Sequence, residues 1–256
     1  MPFPKTFDAY VPSDTQKFFT LAKLKPEYVP LETLRAVPLD PEHTASFDYA
    51  KKITPPAGFA HCIRCYYFSL AILHNGFPSG TPGVPQIPFA ELAQRLYHAC
   101  ILHDLGWSTT AEAIAHPARA TSFEIHGGIM AYEHLRVAAP ALASDAASLG
   151  DVVQSIMLHT SQWPSGTSSA TKMLLSLSAM FDLCGYDGPQ PGSRAFELLV
   201  NRKTLQEIEK EFPRGGLYTE GLDYAKKEFA EKPDCLMSHF PGGLEGFTKL
   251  WRVPEE

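Results

Sequence analysis

The chain has no long apolar run and no extended basic cluster. Its apolar stretches, of which Met173 to Cys184 is typical, fall short of the roughly eighteen residues that a membrane-spanning helix needs. The N-terminal residues do not have the shape of a signal peptide. The net charge is -6, and the pairs Lys51–Lys52 and Lys226–Lys227 do not extend into a basic patch. We therefore expect a cytoplasmic protein that binds neither a membrane nor nucleic acid.

Cysteine is sparse. The chain contains five cysteines, without the dense pattern of a disulfide-bonded secreted domain, so reduced thiols are expected. Cys62 and Cys65 form a C-x-x-C motif, but no second pair accompanies it and it lies inside a predicted helix. A redox or zinc-knuckle role for this motif is therefore disfavoured.

Strand patterns are also lacking, because apolar and polar residues nowhere alternate between hairpin turns. Apolar residues recur instead at helical spacing, which predicts an all-α domain of stacked helices. The segment 77–88 is rich in proline and glycine, so we expect an irregular loop there, long enough to act as a lid. The predicted helices are residues 31–36, 40–51, 59–75, 89–102, 123–136, 145–159, 170–184 and 193–212.

Four side chains stand beside apolar stretches, where an unpaired polar group would be costly. His103 and Asp104 follow the apolar end of a predicted helix in "ACILHDLGWS". His61 stands near the start of an earlier helix, and Asp182 lies in "LSLSAMFDLCG" near the end of a later one. Two imidazoles and two carboxylates suit zinc, iron or manganese, so the sequence predicts a metal site. The alternative is a His103–Asp104 pair that only closes a helix end.

The order His61, His103–Asp104, Asp182 resembles the HD-domain superfamily of helical metalloenzymes. Five segments between roughly residues 58 and 240 further resemble the cyanamide hydratases, metal-dependent lyases that add water to cyanamide to give urea: "AHCIRCYYFSLAIL", "CILHDLGW", "SFEIHGGIMAYEHL", "SAMFDLCGYDG" and "EFPRGGL". The resemblance implies an HD-domain helical bundle with long connecting loops, in which His61, His103, Asp104 and Asp182 hold one zinc ion. It also implies a catalytic domain over residues 59–256, with residues 1–58 packed on it as an N-terminal extension, and a possible homo-oligomer.

Two further histidines extend the pattern. His126 stands in "FEIHGG", where the hydratases carry a tyrosine, and His159 stands in "MLHTSQW". The complete order resembles that of binuclear HD proteins, which include phosphohydrolases and di-iron oxygenases. The alternative to one zinc ion is therefore a pair of ions, such as iron, with His126 and His159 at the second position. Each of these histidines, taken alone, is equally well explained as a core residue.

Under the hydratase interpretation, a hydroxide bound to the metal attacks the carbon of a small nitrile. Asp104 is expected to orient the water or relay its proton, and His159 is the second candidate for that transfer. Tyr66, Trp107 and Phe123 are expected to line a small, dry substrate pocket. A binding or regulatory protein that keeps the metal scaffold without turnover is the third possibility.

Several neighbouring residues have structural explanations. Glu124 is expected to cap its helix, and Gly127–Gly128 to allow close helix packing rather than to bind phosphate. Arg64 is either an ion-pair partner or an anion site, and the latter would favour a phosphohydrolase. Arg214 in "EFPRGGL" either closes the site or caps a helix end.

Overall fold

The computed structural model describes residues 3–188, 195–249 and 251. Over these residues the protein is mainly α-helical, which confirms the predicted class. Short 3₁₀ turns, such as Leu105–Trp107, connect some of the elements. The helices of the described part are α1 (Thr15–Leu21), α2 (Leu31–Arg35), α3 (Glu42–Ile53), α4 (Pro56–His74), α5 (Phe89–Leu102), α6 (Ala111–Ile114), α7 (Phe123–Ala138), α8 (Pro140–Ala143), α9 (Ala146–Leu158), α10 (Ala170–Cys184), α11 (Arg202–Glu211), α12 (Leu217–Glu231) and α13 (Gly243–Thr248).

Helices α4, α5, α7, α9 and α10 form the central bundle. Helix α4 packs against α5 and α10, and α9 packs against α5, α7 and α10. The side chains of Phe68, Leu70 and Ile72 in α4 are all completely buried. A helix that is apolar around most of its circumference lies inside a fold rather than on its surface. Helix α4 therefore forms the centre of the bundle and places its first turns beside the ends of α5 and α10.

Four short strands correct the expectation that the chain has none. Strand β1 (Thr6–Asp8) pairs antiparallel with β3 (Gln86–Pro88), and β2 (Tyr10–Pro12) pairs antiparallel with β4 (Thr167–Ser169). The segment 77–88 was expected to be irregular throughout, but it ends in strand β3. Each strand has only three residues, too few to show a period-two pattern, and each pairing joins distant parts of the chain.

The N-terminal residues contribute to the same core as the central bundle. Phe7 and Phe18 are completely buried in one apolar cluster with Leu70 of α4. Helix α3 also packs against α5 and α7. The boundary after residue 58 stays a prediction, and α4 begins slightly before it, at Pro56.

The single helix predicted over residues 193–212 is wrong in its described part; residues 193 and 194 lie outside the described residues. A 3₁₀ turn at Ala195–Leu198 precedes the shorter helix α11. The side chain of Asn201 accepts a hydrogen bond from the backbone N–H of Lys203. An asparagine that accepts such a bond is a preferred helix start, which explains why α11 begins there.

None of the helices in the described residues combines the length and the apolar character needed to cross a bilayer.

Candidate metal centre

Two histidines of the site occupy equivalent positions at the ends of their helices. His103 follows the last residue of α5, and His159 follows the last residue of α9. In each, Nδ1 lies close to the carbonyl oxygen three residues earlier, at 2.8 Å from Cys100 and 2.7 Å from Ile156. A carbonyl oxygen can only accept, so Nδ1 carries the hydrogen in both rings and Nε2 remains free to bind a metal or accept a proton.

The ring of His61 is oriented by a buried carboxylate. His61 Nδ1 donates to Asp182 Oδ2 at 2.6 Å. Arg64 donates to both oxygens of the same carboxylate, from Nε at 2.8 Å and from Nη2 at 2.7 Å. Arg214 donates to the backbone carbonyl and to Oδ1 of Asp182. Arg64 is thus a buried ion-pair partner, and its contact with Asp182 fixes the ring of His61 with Nε2 directed to His103.

The electrostatics of Asp182 follow from the same contacts. Burial alone would raise the pKa of Asp182, but the Arg64 guanidinium and the His61 ring outweigh it and hold that pKa well below its usual value. Asp182 therefore remains ionised even though it is completely buried. Its oxygens are engaged by His61, Arg64 and Arg214. The prediction that Asp182 is a direct metal ligand stays a prediction, since the geometry gives it an orienting contact.

The remaining three predicted ligands converge. Nε2 of His61 and Nε2 of His103 lie 3.3 Å apart, and Oδ2 of Asp104 lies 3.7 Å from the first and 3.4 Å from the second. The circle through these three atoms has a radius of about 2.0 Å, which is the usual distance from zinc to histidine nitrogen or carboxylate oxygen. Asp104 Oδ2 is also buried without a hydrogen-bond partner among the described residues. The donor set therefore fits a divalent cation.

Two thiols border this donor set. Cys65 Sγ lies 3.6 Å from His61 Nε2, and Cys62 groups with His103 and Asp104. Burial raises the pKa of both thiols well above the ordinary value. Both cysteines nevertheless belong to groups that could hold a metal, because a bound cation deprotonates a coordinating thiol. The spacing of four residues between His61 and Cys65 on one helix could have indicated this contact from the sequence.

His126 packs beside another histidine. Its ring centroid is 5.2 Å from that of His116, whereas the ring of His159 is 4.9 Å from that of His103. Burial and then His116 lower the pKa of His126 to about 4. Among the described residues, no group of three or more possible metal ligands includes His126 or His159. The hypothesis that these two histidines bind a second metal therefore stays a prediction.

A cavity of about 730 Å³ opens beside the donor set. Trp107 and Phe123 line it, in agreement with their predicted position. Tyr66 does not: it is buried, with its ring centroid 5.1 Å from that of Tyr97. Sequence reasoning missed much of the wall because it comes from segments without a recognisable motif. These residues are Thr160 and Trp163 after α9, Met180 in α10, and Met237, Phe240 and Phe247 near the C-terminus.

Glycines allow the elements around the cavity to approach closely. A Cβ atom on Gly106 would lie 2.0 Å from the carbonyl oxygen of Phe123, and one on Gly127 would lie 3.0 Å from the backbone nitrogen of Gly106. A Cβ on Gly128 would lie 2.3 Å from Cγ of Met157 in α9. The expectation that Gly127 and Gly128 serve close helix packing is therefore confirmed.

Carboxylates from two helices lie at the start of α7. The side chain of Ser122 does not cap the helix, whereas the Glu124 carboxylate interacts with its own backbone N–H and accepts a hydrogen bond from the hydroxyl of Thr160. The backbone N–H of Phe123 donates to Glu228 of α12 at 2.9 Å. The capping role expected for Glu124 stays a prediction, and a carboxylate from a distant helix shares the start of α7.

Comparison with known proteins gives a distant relationship. No family model matches the chain. Two proteins of Saccharomyces cerevisiae named cyanamide hydratase, DDI2 and DDI3, are each 26% identical to it over 166 residues. The matched region spans 64% of this chain and 62% of each relative, which is less than two thirds of their length. The chain is therefore distantly similar to a part of two proteins that are named cyanamide hydratase.

Proposed function

We propose that this protein is a metal-dependent hydro-lyase of the HD-domain superfamily that adds water to a small nitrile such as cyanamide. The observation that carries the proposal is the triangle of His61 Nε2, His103 Nε2 and Asp104 Oδ2, whose sides of 3.3, 3.4 and 3.7 Å suit one divalent cation. The distant similarity to proteins named cyanamide hydratase supports the choice of reaction.

A zinc ion held by these three side chains would supply a Lewis acid and an activated water near neutral pH. The chain itself supplies orientation. Asp182, held by Arg64, fixes His61, and the carbonyl of Cys100 fixes His103. Partners of this kind commonly set the affinity of histidine ligands for their metal.

Hydration also requires two proton transfers. Water adds its oxygen to the nitrile carbon, both of its protons end on nitrogen, and cyanamide becomes urea. His159 lines the cavity, and its Nδ1 is committed to the carbonyl of Ile156. Its Nε2 is therefore the atom that accepts a proton and returns it to the substrate nitrogen. Asp104, the first candidate from the sequence, also lines the cavity and is the other group that can make this transfer.

The phosphohydrolase alternative has less support. A phosphate ester calls for cationic side chains at the site. Arg64 is fully buried in its pair with Asp182, and no lysine or arginine lines the cavity among the described residues. Lys172 lines a small adjoining space and donates to the carbonyl of Ser161. These contacts favour an uncharged substrate.

The test is metal analysis together with urea release from cyanamide. We expect one zinc ion per chain and urea formation in the wild type, with loss of both in His103→Ala. His134→Gln is the matched control, because His134 lies outside the cavity wall and its ring stacks on Tyr49. Two iron atoms per chain would favour the binuclear alternative. A wild-type protein that retains its metal without forming urea would refute the assignment of cyanamide.

A further inference from the structure

The cavity is much larger than cyanamide. Its volume is about 730 Å³, whereas cyanamide occupies a volume on the order of two water molecules at about 30 Å³ each. Pockets of about 300–1,000 Å³ typically enclose drug-sized ligands. A substrate as small as cyanamide would leave most of this space to water.

The wall of the cavity is largely apolar and aromatic. Trp107, Phe123 and Met180 lie on its inner side, and Phe240 and Phe247 contribute from the C-terminal segment. Trp163 also lines the cavity and is 49% exposed, so it lies at the opening. An apolar surface in contact with water gains binding energy when an apolar ligand covers it. The wall therefore suits a ligand with an aromatic or branched alkyl body.

Away from the donor set, the wall offers no lysine or arginine to pair with an anionic body among the described residues. Its acidic residues are Asp14 and Asp104, and no lysine or arginine lines it in the part of the chain that the structure describes. Asp14 is already engaged, because its side chain accepts a hydrogen bond from the backbone N–H of Lys17. Besides the donor set, the wall also carries uncharged polar side chains such as those of Ser13, Thr160 and Gln162. This arrangement fits a neutral molecule with one polar end.

We propose that the substrate is an uncharged molecule with an aromatic or branched alkyl body that fills the apolar cavity and places its polar end at the donor set. This inference rests on the proposed function for its reaction. With a substituted nitrile, the oxygen of one water molecule bonds to the nitrile carbon while both protons of that water pass to nitrogen. A nitrile becomes a primary amide and a substituted cyanamide becomes a substituted urea, without any oxidant or reductant.

The experiment compares cyanamide with benzylcyanamide as substrates and uses benzylurea as a binding probe. We expect kcat/KM for benzylcyanamide to exceed that for cyanamide by about 10- to 100-fold, as expected for burial of one aromatic ring. Benzylurea should change the intrinsic tryptophan fluorescence. All three tryptophans of the chain can report on binding, since Trp107 and Trp163 line the cavity and the ring of Trp251 lies 6.1 Å from that of Trp107.

A variant narrows the cavity without removing a metal-binding donor. Ala179 lines the cavity and is 7% exposed, so Ala179→Phe should lower the ratio of benzylcyanamide to cyanamide turnover by about 10-fold. Val137→Phe introduces the same side chain at a position that is 83% exposed and should leave this ratio unchanged.

The outcomes separate the two proposals. If cyanamide is hydrated at least as well as benzylcyanamide and benzylurea leaves the fluorescence unchanged, the large substrate is refuted while the hydratase function stands. If benzylurea binds but neither nitrile is hydrated, the apolar ligand class is supported and the proposed reaction is refuted. An unchanged turnover ratio in Ala179→Phe would also contradict the inference.

Discussion

Removal of either partner of the buried pair between Arg64 and Asp182 should destabilise the protein and weaken its hold on metal. Both side chains are completely buried, and two hydrogen bonds join them. Asp182→Asn leaves the buried Arg64 guanidinium without its counter-charge, and Arg64→Met leaves the carboxylate with only the partly exposed Arg214 as an arginine partner. Breaking a buried pair from one side costs about 3–5 kcal/mol, a large part of the total stability of a typical domain, about 5–15 kcal/mol.

The assay is chemical unfolding of the two single variants and the double variant, followed by circular dichroism. We expect the double variant to be less destabilised than the sum of the single ones, because it leaves no unpaired charge. Zinc affinity, measured by competition with a chelator, should fall by about 10- to 100-fold in Asp182→Asn, since His61 loses the carboxylate that orients it.

An exposed pair on the same protein provides the control. Arg35 and Glu211 form an ion pair whose side chains are 42% and 49% exposed. Arg35→Met should therefore change the free energy of unfolding by no more than about 1 kcal/mol. If Asp182→Asn is no more destabilising than Arg35→Met, the reasoning is wrong. If Asp182→Asn abolishes metal binding as completely as His103→Ala, then Asp182 is a direct ligand.

Three other perturbations follow from single contacts. Gly106→Ala should destabilise the protein by about 3 kcal/mol, because its Cβ would meet the carbonyl of Phe123. The control Gly150→Ala, where a Cβ meets nothing within 4 Å, should be neutral or stabilising. Equal melting temperatures of the two variants would contradict the expected clash at Gly106. Burial raises the pKa of Glu124 from 4.5 to about 7, so the folded state binds this proton more tightly than the unfolded one. The contribution of Glu124 to stability is then fully present below pH 4.5 and is lost, by about 3 kcal/mol, as the pH rises through 7. Urea unfolding at pH 5 and pH 8 should show that Glu124→Gln removes this loss, and an unchanged dependence of the unfolding free energy on pH would count against it. Glu228→Gln should lower the unfolding free energy by about 1–3 kcal/mol, because it removes the buried charge that pairs with Lys232 at 2.9 Å and weakens the contact with the first N–H of α7. A melting temperature equal to that of the wild type would argue against this role.

Much of the central bundle could be predicted from the sequence. Helices α5 and α10 begin and end at the predicted residues, Phe89–Leu102 and Ala170–Cys184. Their apolar residues recur with the period of a helix and clear signals bound them, so the pattern is local. Helices α1, α12 and α13 had not been indicated, because their short or polar sequences do not carry a strong apolar period.

Part of the candidate site could also be predicted from local sequence patterns. His61, His103 and Asp104 were selected because polar groups beside apolar runs need partners, and the structure brings these three together. Tyr66 was selected only for its proximity to His61 in the sequence. Along a helix, positions five residues apart point in different directions, and Tyr66 packs into the core instead.

The sequence by itself determined the main helices of the central bundle, which side chains could hold a cation, and that close packing would occur at Gly127 and Gly128. These properties depend on neighbours within a few positions along the chain. The tertiary structure alone decided that Asp182 pairs with Arg64 and His61, that Glu228 serves the start of α7, and that C-terminal aromatic residues complete a large apolar cavity. Each of these contacts joins residues that are distant in the chain, and only the packing of the helices brings their side chains within reach of one another.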